Sequence, residues 1–236
     1  KTMKNKILAL AVVLSLSGCA ELQQVASQYP GIGQTLGNAD IAMGLKEALN
    51  NGVTKQVTKL TVTDGFYKNA AVKILLPPEL QKVDKALRDV GLSSLADEGL
   101  KVLNRAAEDA VKEAVPVFVT AIKSMTFADA KNILMGNDDA ATIYLQRTTS
   151  SQLYGKFNPI VKKSLSKVGA DKTWNQILTK YNTLPLVTKV NPDLNDYVTN
   201  EALKGVFTMV AVEEKDIRNN VAARTSDLLK RVFGMQ

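Results

Sequence analysis

Apolar residues recur every three or four positions through most of the chain between Asp40 and Phe233, the spacing of an α-helix with one buried face. Ile41, Leu45, Ala48, Leu49, Val53, Val57 and Leu60 form the first such run, with Asp40 ahead of them as an N-cap, and predict a helix ending near Thr61. Asp64-Gly65 reads as a turn. Val72, Ile74 and Leu76 then alternate before Pro77-Pro78, so this piece is expected to be extended, and Pro78 can open a helix over 79–90. The longest periodic segment begins at Ser93 or Ser94 and places Leu103, Ala107, Ala110, Ala114, Phe118 and Ile122 on one face. Arg105 with Asp109, and Glu108 with Lys112, fall at i,i+4 on the face assigned to solvent. Pro116 lies inside this pattern, removes a backbone donor and predicts a kink or a break.

Thr126 and Asp129 have the spacing of a capping box before a short helix that stops at Gly136, and Asp138 is the expected cap of the next. Residues 140–168 read as one or two helices interrupted at Gly155 and Pro159, and 171–182 as another, carrying the single tryptophan, Trp174. Leu184 to Val190 is apolar around Pro185 and is a candidate to pair with 72–76 as a minimal two-stranded element. Helices over 193–219, with a bend near Thr199, and over 222–233 complete the chain. The expectation is an all-α, bundle-like single domain over residues 39–236.

The segment before this domain has another character. Lys4 and Lys6 precede an apolar run from Ile7 to Leu16, and Leu16-Ser17-Gly18-Cys19 follows. A basic start, a short apolar run and small residues ending at a cysteine make a bacterial lipoprotein signal, with residues 1–18 removed and Cys19 as the lipid attachment site. The apolar run is about half of the roughly 20 residues that span a bilayer, which argues against a permanent transmembrane helix. An ordinary secretory signal cut after Ala20 is the competing reading. Pro30, Gly31, Gly33 and Gly37 give residues 19–38 the composition of a tether. Ala20, rather than Asp, after the cysteine points to the outer membrane and a periplasm-facing domain.

Composition narrows the chemistry. The chain has no histidine and one cysteine, which lipidation consumes. Disulfides, thiol nucleophiles, His-based triads and His/Cys zinc sites therefore fall away, and no cofactor or metal is expected. The 30 basic residues exceed the 23 acidic ones, and after Lys1, Lys4 and Lys6 leave with the signal the balance is 27 against 23. These charges are scattered along the sequence, so no nucleic-acid partner is expected.

Several polar groups are candidates for chemistry. Asn137-Asp138-Asp139 lacks the Asp-x-Asp-x-Asp-Gly spacing of a calcium loop. Thr142, Arg147, Thr148 and Thr149 make a polar stretch that can line a site or an interface, against the simpler reading of a solvated face. Glu213, Glu214, Asp216 and Arg218 share one helix, with Glu214 and Arg218 at pairing distance in sequence; the default reading is surface ion pairing. Glu213 and Glu214 point about 100° apart, which weakens a paired-carboxylate mechanism. Thr142, Arg147, Glu214 and Arg218 are the candidate ligand or partner residues.

Asn104-Arg105-Ala106-Ala107-Glu108, Met125-Thr126 with Asp129-Ala130, Ala140-Ala141-Thr142 with Tyr144-Leu145, Tyr181-Asn182 with Leu184-Pro185, and Val232-Phe233-Gly234 resemble a bacterial lipoprotein family catalogued as domain of unknown function 4197. The resemblance spans nearly all of the chain after Cys19. It implies a periplasm-facing helical domain and transfers no activity, cofactor or catalytic residue. The expected function is that of a membrane-tethered, non-enzymatic binding domain of the cell envelope. A carrier of lipid or a small hydrophobic ligand and a carboxylate-dependent envelope hydrolase are the alternatives.

Overall fold

Helix α1 (Asn38–Thr61) gathers Leu45, Ala48, Val53, Val57 and Leu60 on one stripe and buries it, with Gly44 and Gly52 on the same face where neighbours come close. A computed structural model describes residues 37–76, 81–186, 188–189 and 193–234 of the chain. After α1 come α2 (Gln81–Asp89), α3 (Ser93–Val111), α4 (Ala114–Ser124), α5 (Phe127–Leu134), α6 (Ala140–Ser166), α7 (Ala170–Tyr181), α8 (Leu194–Asn219) and α9 (Asp227–Phe233), the last preceded by a 3-10 turn, Val221–Ala223. The chain from Asn38 onward forms one compact unit, and its described residues are all-α.

Helix α8 is the axis. It packs on α6, α1 and α3, while α3 and α6 also pack on each other. Leu153, Phe157, Val161 and Leu165 of α6 and Val198, Ala202 and Val206 of α8 are buried, each at helical spacing. Helices α4 and α5 lie against α1, and α9 closes over it. Phe118 of α4 meets Phe207 of α8 edge to face, with ring centroids 5.8 Å apart and planes at 79°. Each such side chain contributes about 1.5–3 kcal/mol when fully buried. Gly205 lets the Phe66 ring reach α8: a Cβ there would stand 2.6 Å from Phe66 Cε1.

The extended piece at 72–76 pairs with no strand among the described residues. Asn104 takes the place of a partner strand: its Oδ1 accepts from the Ile74 N–H at 2.8 Å, and its Nδ2 donates to the Ile74 carbonyl at 2.9 Å. The Tyr197 hydroxyl donates to the Leu75 carbonyl at 2.6 Å. Residues 184–186 form a bend and turn, and 187 and 190 of the expected partner lie outside the described residues. So do 79 and 80, and the helix expected over 79–90 runs over Gln81–Asp89.

The interruption expected at Pro116 falls three residues earlier, at Lys112–Glu113, because a break there moves Pro116 into the first turn of α4, where backbone donors lack helical partners anyway. The opposite happens at Pro159. Helix α6 runs unbroken from Ala140 to Ser166 with Gly155 and Pro159 inside it, held by the buried Leu153, Phe157, Val161 and Leu165 on either side of the missing donor. Helix α8 is likewise continuous through Thr199, whose hydroxyl donates back to the Asn195 carbonyl at 2.6 Å. The terminal helix expected from Ala222 begins instead at Asp227, capped by the Ser226 hydroxyl, which accepts from Leu229 N–H.

Candidate functional site

The capping box at Thr126 and Asp129 is present in both directions and starts α5. Met135 ends that helix, and the chain re-enters helix at Ala140 after only a few residues. Asp138 does not cap α6. The N-cap position is Asp139, and its side chain makes no cap bond either.

The cap comes from α8. Glu214 Oε1 accepts from Ala141 N–H at 2.8 Å, and Oε2 accepts from both the N–H and the hydroxyl of Thr142 at 2.8 Å. Arg218, one turn on, donates through Nε and Nη2 to Glu214 Oε1 at 3.1 and 2.9 Å. Its guanidinium also donates to the carbonyls of Ile133 at 2.7 Å and Leu134 at 3.3 Å, the last turn of α5. A carboxylate thus meets the amide end of one helix and a cation the carbonyl end of another, each matching the local helix dipole. The pairing of Glu214 with Arg218 follows the sequence spacing, but its setting is interior: the two side chains are 5% and 4% exposed.

Two other acids expected at the surface are buried as well. Glu108 turns inward, so that Oε1 accepts from Phe66 N–H at 3.1 Å and fixes the turn after α1, while Oε2 pairs with Arg105. Arg105 reaches on to Asp64, and Lys112 pairs with Asp109, so the i,i+4 pairs expected on α3 are replaced by i,i+3 pairs and a long-range bridge. Glu213 faces away from Glu214, as the 100° offset requires, and accepts from Lys55 at 2.7 Å and from Gln56 of α1.

Of the four candidate residues, Thr142, Glu214 and Arg218 are therefore brought together in the interior and bonded to one another, and Arg147 stands apart. Thr148 and Thr149 donate back to carbonyls of their own helix, Tyr144 and Leu145 respectively. Arg147 is exposed, with its guanidinium 5.9 Å from the Tyr144 ring centroid. It lines a groove of about 190 Å³ between α5 and α6 together with Asp129, Asn132, Ile133, Ile143 and Tyr144. Ile143 is 54% exposed. The Thr126 hydroxyl, then its backbone N–H, and more weakly Arg147 hold the Asp129 carboxyl below its usual range. Burial, with the Asp129 charge adding to it, raises the Tyr144 phenol.

A family model matches residues 35–234, the whole of this helical unit but for a few residues. The chain belongs to the family described as Protein of unknown function (DUF4197). No curated protein and no solved structure matches it. The buried clasp and the open groove are thus features of a DUF4197 domain read from its own geometry.

Sequence reasoning missed Asn104, Glu108 and the inward turn of Glu214. The signal was there: Asn104 falls in register with buried Leu100, Leu103, Ala107 and Val111, and Glu213 and Glu214 continue the stripe of Val206, Val210 and Ile217. A polar side chain at a core position must be satisfied by a partner, since leaving it unpaired costs about 1–3 kcal/mol.

Proposed function

We propose that this DUF4197 protein is a lipid-anchored, periplasm-facing domain of the outer membrane that works by binding an envelope protein rather than by catalysis. The observation that carries this reading is the α5–α6 groove. There Arg147, Tyr144 and Ile143 present a cation, an aromatic ring and exposed apolar surface, a mixture enriched at protein interfaces. The Leu16–Cys19 segment supports the anchor.

The alternatives draw less support. A cavity of about 480 Å³ is lined by Asp171, Lys172, Asn175, Gln176, Asp193 and Asn195 with the single apolar residue Leu194, a mostly polar surface poorly suited to a hydrophobic cargo. Its two carboxylates are engaged: Asp171 accepts from the Ser166 hydroxyl at 2.6 Å, and Asp193 caps α8. The Ser166 bond holds the Asp171 carboxyl low, the opposite of what a general acid requires.

The test is in-cell photo-cross-linking from position 143 in the full-length precursor, with radiolabelled palmitate following the anchor. One discrete adduct, recovered also when the captured protein is pulled down first, supports the reading. A smear of abundant neighbours counts against binding at this groove, and labelling that survives Cys19→Ser counts against the anchor.

A further inference from the structure

Basic residues that are scattered in the sequence converge on one side of α3. Lys73 Nζ lies 4.2 Å and Lys101 Nζ 5.7 Å from the centroid of the same ring, Tyr67. Lys101 in turn lines a groove of about 280 Å³ between α3 and α6 with Arg105, Lys167, Ser164 and the apolar Val102 and Val168. Three lysines thus follow one another along an arc, Lys73, Lys101 and Lys167, drawn from three segments of the chain, with Arg105 in the groove already paired to Asp64 and Glu108.

The acids nearby form their closest ion pairs with cations other than the three lysines. Asp109, which lines the groove, bonds Lys112 and the Ser164 hydroxyl. Asp64 and Glu108 meet Arg105, and Asp97 pairs with Arg88 while also lying in the field of Lys73 and Lys101. Among the described residues, no carboxylate forms an ion pair with Lys73, Lys101 or Lys167. Like charges gathered this closely raise the local positive potential and are favoured when an anion sits among them. Val168, 62% exposed at the edge of the groove, adds apolar surface beside the cations, the pairing that suits the boundary between headgroups and acyl chains.

We propose that this arc binds the phosphate-bearing headgroups of an anionic membrane surface. The choice of a membrane as the phosphate source rests on the lipid-anchor reading: the nineteen residues from Ala20 to Asn38 span at most about 65 Å, which keeps a bilayer within constant reach of the domain. Binding by the arc itself does not need the anchor. A basic patch held beside an anchored bilayer orients the domain, since each Lys or Arg near an anionic surface multiplies the partition coefficient about fivefold.

The experiment uses residues 38–236, which form one compact unit with its own core and carry no anchor, so its failure is separate from failure of the anchor. Co-sedimentation is measured with vesicles of phosphatidylglycerol and phosphatidylethanolamine and with vesicles of phosphatidylcholine. The expected result is binding to the anionic vesicles alone, weakened by salt and lowered about 25-fold by Lys101→Ala with Lys167→Ala. Lys131→Ala with Lys215→Ala, two exposed lysines outside the arc, should leave it unchanged. Absence of binding to anionic vesicles, equal binding to phosphatidylcholine, or full binding by the Lys101/Lys167 variant with a native circular dichroism spectrum overturns the proposal. Displacement from the vesicles by inorganic phosphate at the same phosphate concentration overturns it too, by making the arc a site for a free anion.

Discussion

The first turns of α6 carry two polar arrangements within six residues of each other, and they differ in what is left for a partner. Around Thr142, the Glu214 carboxylate and Arg218 guanidinium are buried and bonded to each other, to the start of α6 and to the end of α5. Around Tyr144 and Arg147, the side chains border an open groove and the cation is exposed. The difference shows how burial separates structural from available chemistry on one helix. A polar group enclosed with its complement holds the fold, and one left at a rim beside exposed Ile143 can contribute to recognition.

The largest effect expected from breaking this contrast is at Glu214. Glu214→Ala leaves Arg218 buried without its counter-charge and uncovers the Ala141 and Thr142 amides, so chemical unfolding should show a loss of about 3–5 kcal/mol. Pairing it with Arg218→Met should cost less than the two changes added together, because the stranded charge is then gone. A loss under about 1 kcal/mol for Glu214→Ala would place the clasp among surface pairs.

A second test concerns the packing on which the clasp depends. Gly205→Ala puts a methyl group 2.6 Å from the fully buried Phe66 ring, and overpacking of this kind costs about 1–3 kcal/mol. A neutral result in urea unfolding would mean that Phe66 has room to move aside. On the groove side, Thr126→Ala removes the hydroxyl that starts α5 and should lower stability by about 1 kcal/mol, read from the same unfolding curves.

The smallest effect expected is titration of four half-buried surface acids. Asp64 is held below its ordinary value by Lys68 first, Asp97 by Arg88, Asp129 by Thr126 and Asp171 by Ser166. A depressed folded-state value stabilises the protein above the unfolded pKa of about 3.9, and that stabilisation disappears as the pH falls through the lower folded value. Unfolding midpoints should therefore be flat from neutral pH to about pH 5 and decline below about pH 4. The decline should be gentle and salt-sensitive, because these groups are solvated. Asp129→Asn should reduce it slightly, and a steeper decline in that variant would contradict the assignment.

The helices, the capping box and the spacing of Glu214 from Arg218 were legible because each is a local pattern, set by neighbours three or four residues away. The splay of Glu213 from Glu214 was legible for the same reason. What escaped local reading were side chains that satisfy distant backbone. Glu214 caps amides more than seventy residues earlier in the chain, and Asn104 substitutes for a strand beside Ile74. Such partners share no sequence spacing. The apolar register says only that a polar residue sits in the core, and tertiary packing decides what it meets. The gathering of Lys73, Lys101 and Lys167 is hidden in the same way, since three separate segments supply it.

The contrast between clasp and groove is tested most directly by the cross-link yield from position 143 in Arg147→Ala protein, with unfolding measured on the same sample. The account predicts stability within about 0.5 kcal/mol of the parent, as for a surface change, and loss of the discrete adduct. An unchanged adduct, or a loss of stability approaching that of Glu214→Ala, would contradict it and assign Arg147 to the fold rather than to recognition.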